Sequence, residues 1–396
     1  MKKIGLVTVT YVNNFGSHLQ SFALQYILKS LGYDTEIISQ EGLNGDIAKR
    51  RFHYLLSRWY DMGELKGYLA VARNRFMRKL DKQFGKICNQ RAEVFNSFAK
   101  KEYTLSPIAK TWEELSSMCG ERYSTVVIGS DQNWRPANIA GGYYTIEYVP
   151  DEVNKVAYST SFGISRVIPA QKEKAKYFLG RINHLSVRED SGQKIIKDLL
   201  NCDIPVVCDP TILVKKEEWE KFIEEKRQVD LKDVIKEPYI LCYFLGESQE
   251  NREFALRLKQ KTGIRIISVL YGEGRYYKEK DKFYDVALSA IGPLDFVRLI
   301  SKAEYVCTDS FHGCAFSLIF ERQLYAFYKS SQNSKMSVNS RLDSMLGWAG
   351  ITERIIKKPV SAIDDSILTP INYDEVSKRL KEKREMSLKY LKESLK

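Results

Sequence analysis

Residues 3–38 read KIGLVTVTYVNNFGSHLQSFALQYILKSLGYDTEII. Lys3 to Thr10 is a run of β-branched and apolar residues and predicts a strand. A loop from Tyr11 to Ser17 follows. Then Leu19, Phe22, Ala23, Tyr26, Ile27 and Leu31 recur at helical spacing, with Gly32 suited to the position just past a helix. Asp34 to Ile38 returns as a strand. This is a βαβ unit, and its loop feeds a helix N-terminus where backbone N–H groups can hold an anion.

The same alternation resumes at Tyr123. Strands are expected at 125–128, 155–161, 184–188 and 205–208, with helices at 169–182 and 189–200. A polar stretch at 226–237 reads as a linker. A second alternating block follows, with strands at 239–245, 264–271, 305–308 and 324–328 and helices at 248–262, 293–303 and 311–322. Residues 373–396 form an amphipathic helix on Val376, Leu380, Leu388, Leu391 and Leu395. The expected fold is α/β: two Rossmann-like domains, 1–230 and 231–372, facing a cleft, with ligands at the C-terminal ends of the strands. Residues 48–110 break the rhythm and read as a helical insertion in the first domain.

Composition narrows the class. Hydrophobic residues make up 44% of the 396 and aromatics 12%, which excludes a mainly disordered chain. No run of 18 apolar residues exists, and the N-terminus lacks a cleavage pattern, so neither a membrane span nor a signal peptide is expected. Seven scattered cysteines without a CxxC pair argue against a disulfide framework or structural zinc, and a cytoplasmic location is the expectation. The net charge is +12, and residues 48–86 alone hold eleven Lys/Arg against three Asp/Glu. Interleaved with them are Phe52, Tyr54, Trp59, Tyr60, Tyr68, Phe76 and Phe84. Such a patch suits an anionic partner: lipid headgroups, nucleic acid or a polyanionic substrate. No nucleic-acid recognition motif accompanies it, so nucleic acid is not expected.

The polar residues that follow strands carry the chemical information. They are Gly129-Ser130-Asp131-Gln132-Asn133-Trp134, Ser186-Val187-Arg188-Glu189-Asp190-Ser191-Gly192, Asp209-Pro210-Thr211 and Thr308-Asp309-Ser310-Phe311-His312-Gly313. Each has a bland reading. Ser-Asp-Gln at a strand end is a common helix cap, and Asp209-Pro210-Thr211 an ordinary turn. Arg188 beside Glu189 and Asp190 fits a surface ion pair. His18, His53 and His184 read as structural. His312, directly after a strand and before a glycine, favours function. Cys314 reads as a core residue rather than a nucleophile.

Taken together these motifs, with the 14–25 stretch NFGSHLQSFALQ, the 158–163 stretch YSTSFG and Ser340-Arg341-Leu342, resemble the polysaccharide pyruvyl transferase family in order along residues 1–355, the insertion excepted. The resemblance implies two domains of the GT-B type. It implies transfer of the enolpyruvyl carbons of phosphoenolpyruvate onto two hydroxyls of a sugar in a bacterial capsular or exopolysaccharide precursor. A pyruvate ketal forms and phosphate leaves, with no cofactor and no metal. Such chemistry needs a proton donor, a cationic clamp and a base.

By resemblance His312 is the acid/base residue and Arg188 binds the donor. Asp131 is a further catalytic candidate, and Asn14, Gln132, Ser310 and Arg341 are candidates for substrate binding. Many relatives carry arginine where this chain has Ser310, so the clamp is expected from Arg341 or Arg322, or the donor differs. A lipid-linked oligosaccharide acceptor and peripheral contact of the insertion with an anionic membrane complete the expectation. A glycosyltransferase using a nucleotide sugar and a non-catalytic glycan-binding protein are the alternatives.

Overall fold

The opening βαβ unit forms as its pattern predicts in the computed structural model, which describes residues 2–57, 62–226, 228–270, 276, 282–329, 339–357 and 365–396. Strand β1 (Lys3–Val7) lies between β2 (Thr35–Ile37) and β3 (Tyr123–Ile128), and β4 (Asn154–Ala157) flanks β3. All pairs are parallel, and Gly5 stands opposite Glu36 on one side and Val126 on the other. Isolated bridges from Val156 to His184, Thr160 to Val187 and Val187 to Val206 carry the sheet further. The strands expected at 184–188 and 205–208 are thus reduced to single pairings. Local side-chain bonding competes there: the Ser186 hydroxyl donates to Ala157 O and accepts from Ser159 N–H.

The second sheet contains β5 (Tyr239–Tyr243), β6 (Arg265–Val269), β7 (Val286–Leu288), β8 (Tyr305–Thr308), β9 (Gln323–Phe327) and β10 (Ile355–Ile356). Its order is β10-β9-β8-β5-β6-β7, again all parallel. The central strand β5, YILCY, is buried at every residue, as a parallel strand covered on both faces must be. Strands β7 and β10 were not expected. They are three and two residues long, too short to show an alternation.

The helix Phe15–Ser30 is buried nearly all round from Phe15 to Gln25, not only along its predicted stripe. The second domain covers its other side. Phe15 stacks on Phe296 with ring centroids 4.5 Å apart and meets the edge of Tyr243. One apolar core therefore runs from Leu6 and Phe22 of the first sheet's layer to Leu241 and Leu299 of the second.

The insertion is helical as expected, in three pieces: Asn44–Leu56, Met62–Leu80 and Lys82–Glu102. The third is not a solvated face. Phe84, Phe95 and Phe98 are buried, and buried Arg91 donates to Asn13 O and Ser289 O while lying 4.4 Å over the Phe15 ring. It ties one domain to the other. Trp59 and Tyr60 lie outside the described residues. The C-terminal helix Tyr373–Ser394 is a second tie. Ser377 donates to Glu321 in the second domain, and further along Tyr390 donates to Ala157 O and Ser387 accepts from Cys208 N–H in the first.

Candidate functional site

Two helices start at the cleft between the sheets, one from each domain. Asn14 caps Phe15–Ser30, its Oδ1 accepting from Ser17 N–H at 3.1 Å. Ser310 caps Phe311–Ile319, its hydroxyl accepting from Gly313 N–H at 3.3 Å. Asp309 beside it is committed elsewhere: its two oxygens accept from Leu245 and Gly246 N–H and fix the loop after β5. The helix starts border a cavity of about 430 Å³ that is also lined by Tyr11, Asp131, Gln132, Arg135, His312 and Arg341. Helix N-termini carry partial positive charge, and their free N–H groups point outward, so the cleft floor favours anions. Arg341 adds a full charge. Burial, with Arg188 close by, brings its guanidinium down to about 10, the mark of a desolvated cation.

Beneath this floor lies a buried ionic network. Arg188 is 2% exposed, and its guanidinium donates to Asp209 Oδ2 at 2.9 Å and to the Ser130 hydroxyl at 3.1 Å. It also stands 3.5 Å from Asp131 Oδ1 and lies 4.4 Å over the Phe311 ring. Asp131 sits at φ +85, an uncommon conformation for a residue other than glycine. Its carboxylate is held from three sides, by the Ser17 hydroxyl, Gln132 N–H and Arg188. Burial works to raise the Asp131 and Asp209 carboxyls, but Arg188 and His312 outweigh it and hold both below the usual range. Glu189 shows the opposite balance. Burial dominates and raises it, although Ser161 and Phe162 N–H donate to one oxygen. Motifs scattered along the chain thus meet in one cluster: the 129–134 loop, the 158–163 stretch, Arg188-Glu189 and Asp209-Pro210-Thr211.

His312 joins this cluster from the second domain. Its Nε2 lies 3.4 Å from Asp209 Oδ2, in ion-pair range but outside in-line hydrogen-bond geometry. Asp209 Oδ1 is held by Thr211 N–H and the Thr211 hydroxyl, which fixes the carboxylate that His312 meets. The Nδ1 edge of the ring packs on Gly16 of the first domain. A Cβ built at Gly16 would come within 1.9 Å of Nδ1, so only glycine leaves room for the imidazole. Nδ1 makes no hydrogen bond to the described residues. An imidazole beside a carboxylate, on a residue that lines an anion-binding cleft, can exchange a proton with a bound ligand.

Six of the seven expected residues line the cleft: Asn14, Asp131, Gln132, Ser310, His312 and Arg341. Arg188 does not. It lies under the floor, paired with Asp209 and Ser130 and 3.5 Å from Asp131. Arg322 is also elsewhere, its guanidinium donating to Phe320 O. Ser310 serves as a helix cap. Asp209, Gly16 and Arg135 are not among the expected site residues, although Asp209 and Gly16 stand in motifs that carry the family resemblance. The turn at Asp209-Pro210-Thr211 forms; the other carboxylate oxygen, which faces Arg188 and His312, leaves no local signal.

Comparison with known proteins follows from this geometry. A search of curated proteins found no match. Among solved structures, the chain is similar to UDP-GlcNAc 2-epimerase from Neisseria meningitidis bound to UDP-GlcNAc, with 11% identity over 98% of this chain and 100% of that one and a TM-score of 0.46. It is also similar to the UDP-GlcNAc 2-epimerase of Methanocaldococcus jannaschii, with 11% identity, 96% and 92% coverage and a TM-score of 0.48. An alpha-glucosyltransferase in complex with UDP and DNA matches at 9% identity, 98% and 95% coverage and a TM-score of 0.43. The family model described as polysaccharide pyruvyl transferase matches residues 14–331, a span that takes in the capped helix at Asn14, the network around Arg188 and the histidine at 312, and the chain belongs to that family of pyruvyl-transferring enzymes.

Proposed function

We propose that the protein transfers the enolpyruvyl group of phosphoenolpyruvate to two hydroxyls of a sugar, forming a cyclic ketal and releasing phosphate. The observation that carries this reading is the meeting of two capped helix N-termini, Arg341 and His312 on one cavity. Phosphoenolpyruvate carries a phosphate and a carboxylate, and two helix starts supply N–H donors for two anionic groups. Arg341 takes the remaining negative charge where relatives use arginine in place of Ser310.

His312 delivers a proton to C3 of the enol phosphate, and C2 becomes oxocarbenium-like. One sugar hydroxyl adds at C2 and returns a proton to the His312 imidazole. The C2–O bond to phosphate breaks, and the second hydroxyl closes the ring at C2, its proton leaving on the departing phosphate. Asp209 and Gly16 fix the position of the imidazole at the cleft. Asp131, ionised and engaged on three sides, holds Arg188 and Ser17 rather than exchanging protons. Gln132 and Asn14 border the acceptor. No cofactor is required beyond the donor. A bacterial capsular or exopolysaccharide precursor on a lipid carrier is the acceptor in this reading, which brings the basic insertion near anionic headgroups in the cytoplasm.

Donor turnover tests the proposal. Phosphate should be released from phosphoenolpyruvate only when a glycan acceptor is present. Release of nucleoside diphosphate from a sugar nucleotide, with phosphoenolpyruvate inert, would overturn it.

A further inference from the structure

The first two insertion helices present large apolar side chains to water. Phe52 and Leu56 on Asn44–Leu56 are 55% and 56% exposed, and Leu69, Phe76 and Leu80 on Met62–Leu80 are 60–64% exposed. These five are nearly half of the eleven most exposed large hydrophobic residues among those described. They are not scattered. Leu69, Phe76 and Leu80 are spaced seven and four apart and fall on one helix face; Phe52 and Leu56 are four apart on theirs. Cations flank both rows: Lys49 and Arg50 beside Phe52, and Arg73, Arg75 and Lys79 beside Phe76. An exposed apolar row bordered by Lys and Arg is the pattern of a helix lying in a bilayer interface. No helix among the described residues is long and apolar enough to cross a membrane.

We propose that Phe52, Leu56, Leu69, Phe76 and Leu80 insert into the interface of an anionic bilayer, so that binding is apolar as well as electrostatic. The excess of eleven Lys/Arg over three Asp/Glu in 48–86 selects an anionic surface. The same helices tie this face to the cleft. Arg51, on the helix that carries Phe52, donates to Asn138 at 2.8 Å and lies 5.9 Å over the Tyr11 ring, and both of those residues line the cavity. Arg73 lies 5.8 Å over the ring of Tyr276, whose backbone N–H donates to Asn74. The face is therefore braced on the body of the protein, and seating it on a membrane fixes which way the cleft mouth points. The inference rests on the proposed function only in naming the acceptor as lipid-borne; the binding itself stands apart from catalysis.

Vesicle co-sedimentation of the full chain tests it, with phosphatidylserine-containing and pure phosphatidylcholine vesicles. The wild type should bind the anionic vesicles and keep part of that binding at about 0.5 M salt, where screening leaves only short-range attraction. The variant Phe52→Ser, Leu56→Ser, Leu69→Ser, Phe76→Ser and Leu80→Ser alters exposed positions and should fold. It should lose at least about tenfold in affinity, and all of its high-salt binding, from the apolar area no longer removed from water. Its turnover with a water-soluble acceptor should be unchanged. A wild type that ignores anionic vesicles at low salt overturns the proposal. So does a variant that binds as the wild type does, or a wild-type dimer that the variant abolishes, since the face would then receive a second copy of the chain. If vesicle binding holds and phosphoenolpyruvate is inert, the catalytic reading fails and this one stands.

Discussion

Arg188 shows how far a residue's role can lie from its sequence context. Its neighbours Glu189 and Asp190 suggest a surface pair, and its motif suggests a donor clamp. In the fold, its contacts are Ser130, Asp131 and Asp209, residues 21 to 58 positions away. Removing one partner of a buried ion pair leaves the others uncompensated, which costs about 3–5 kcal/mol. Arg188→Met should therefore lower the unfolding free energy by about that amount while changing the donor dissociation constant of the folded fraction little. Chemical denaturation and calorimetric titration measure the two. Weakened donor binding at unchanged stability would instead make Arg188 a donor clamp. Asp209 makes the complementary point. Its cap on Thr211 is legible from three residues, whereas its approach to His312 spans 103 positions and the domain junction.

At the level of elements, the helix pattern of 15–31 was legible because one apolar stripe suffices to predict it. Burial of the other faces was not, since the covering groups, Phe296, Tyr243 and the Lys82–Glu102 helix, come from distant segments. The insertion was legible as helical and basic, but Phe84 and Arg91 of its last helix turned inward because Tyr276, Asn13 and Ser289 offer partners there. The contact of the two capped helices yields a prediction at this scale. Gly16→Ala keeps or improves helix propensity, by up to about 1 kcal/mol. Yet its methyl group would occupy the space of the His312 ring. If His312 is the proposed acid/base residue, turnover should fall by at least about tenfold, with a Tm within a few degrees of wild type. Paired kinetics and thermal melts decide. Wild-type turnover in this variant would mean that the ring's seat on Gly16 is unimportant.

Across the whole molecule, the site is split: His312 belongs to the second domain, whereas Asp209, Asp131, Arg188 and Gly16 belong to the first. The two-domain α/β outline followed from alternating strands and helices. Their closure did not, because it depends on aromatic and ionic contacts between segments hundreds of residues apart. The buried carboxylates also give the molecule an acid limit. Asp131 and Asp209 sit below the usual carboxylate range in the folded state, near which they titrate when unfolded, at about 3.9. The unfolded chain then binds more protons than the folded one, so their contribution is present above about pH 4 and is lost as pH falls further. Circular dichroism melts from neutral pH downward should show this loss. Asp209→Asn, which removes one of the two groups, should make the decline shallower; an equally steep decline would place the acid-sensitive groups elsewhere.

Ketal transfer at the cleft leaves its mark on the product. The full chain is incubated with phosphoenolpyruvate and a glycan acceptor, and the acceptor is analysed by mass spectrometry and carbon NMR. The acceptor should gain the mass of pyruvic acid less water and a quaternary ketal carbon bonded to two sugar oxygens, with one phosphate released per acceptor modified. His312→Ala, folded as the wild type, should form this product about 10²–10⁴-fold more slowly. An acceptor that gains a hexose from a sugar nucleotide and nothing from phosphoenolpyruvate, or a His312→Ala variant as fast as the wild type, would contradict ketal transfer at this cleft.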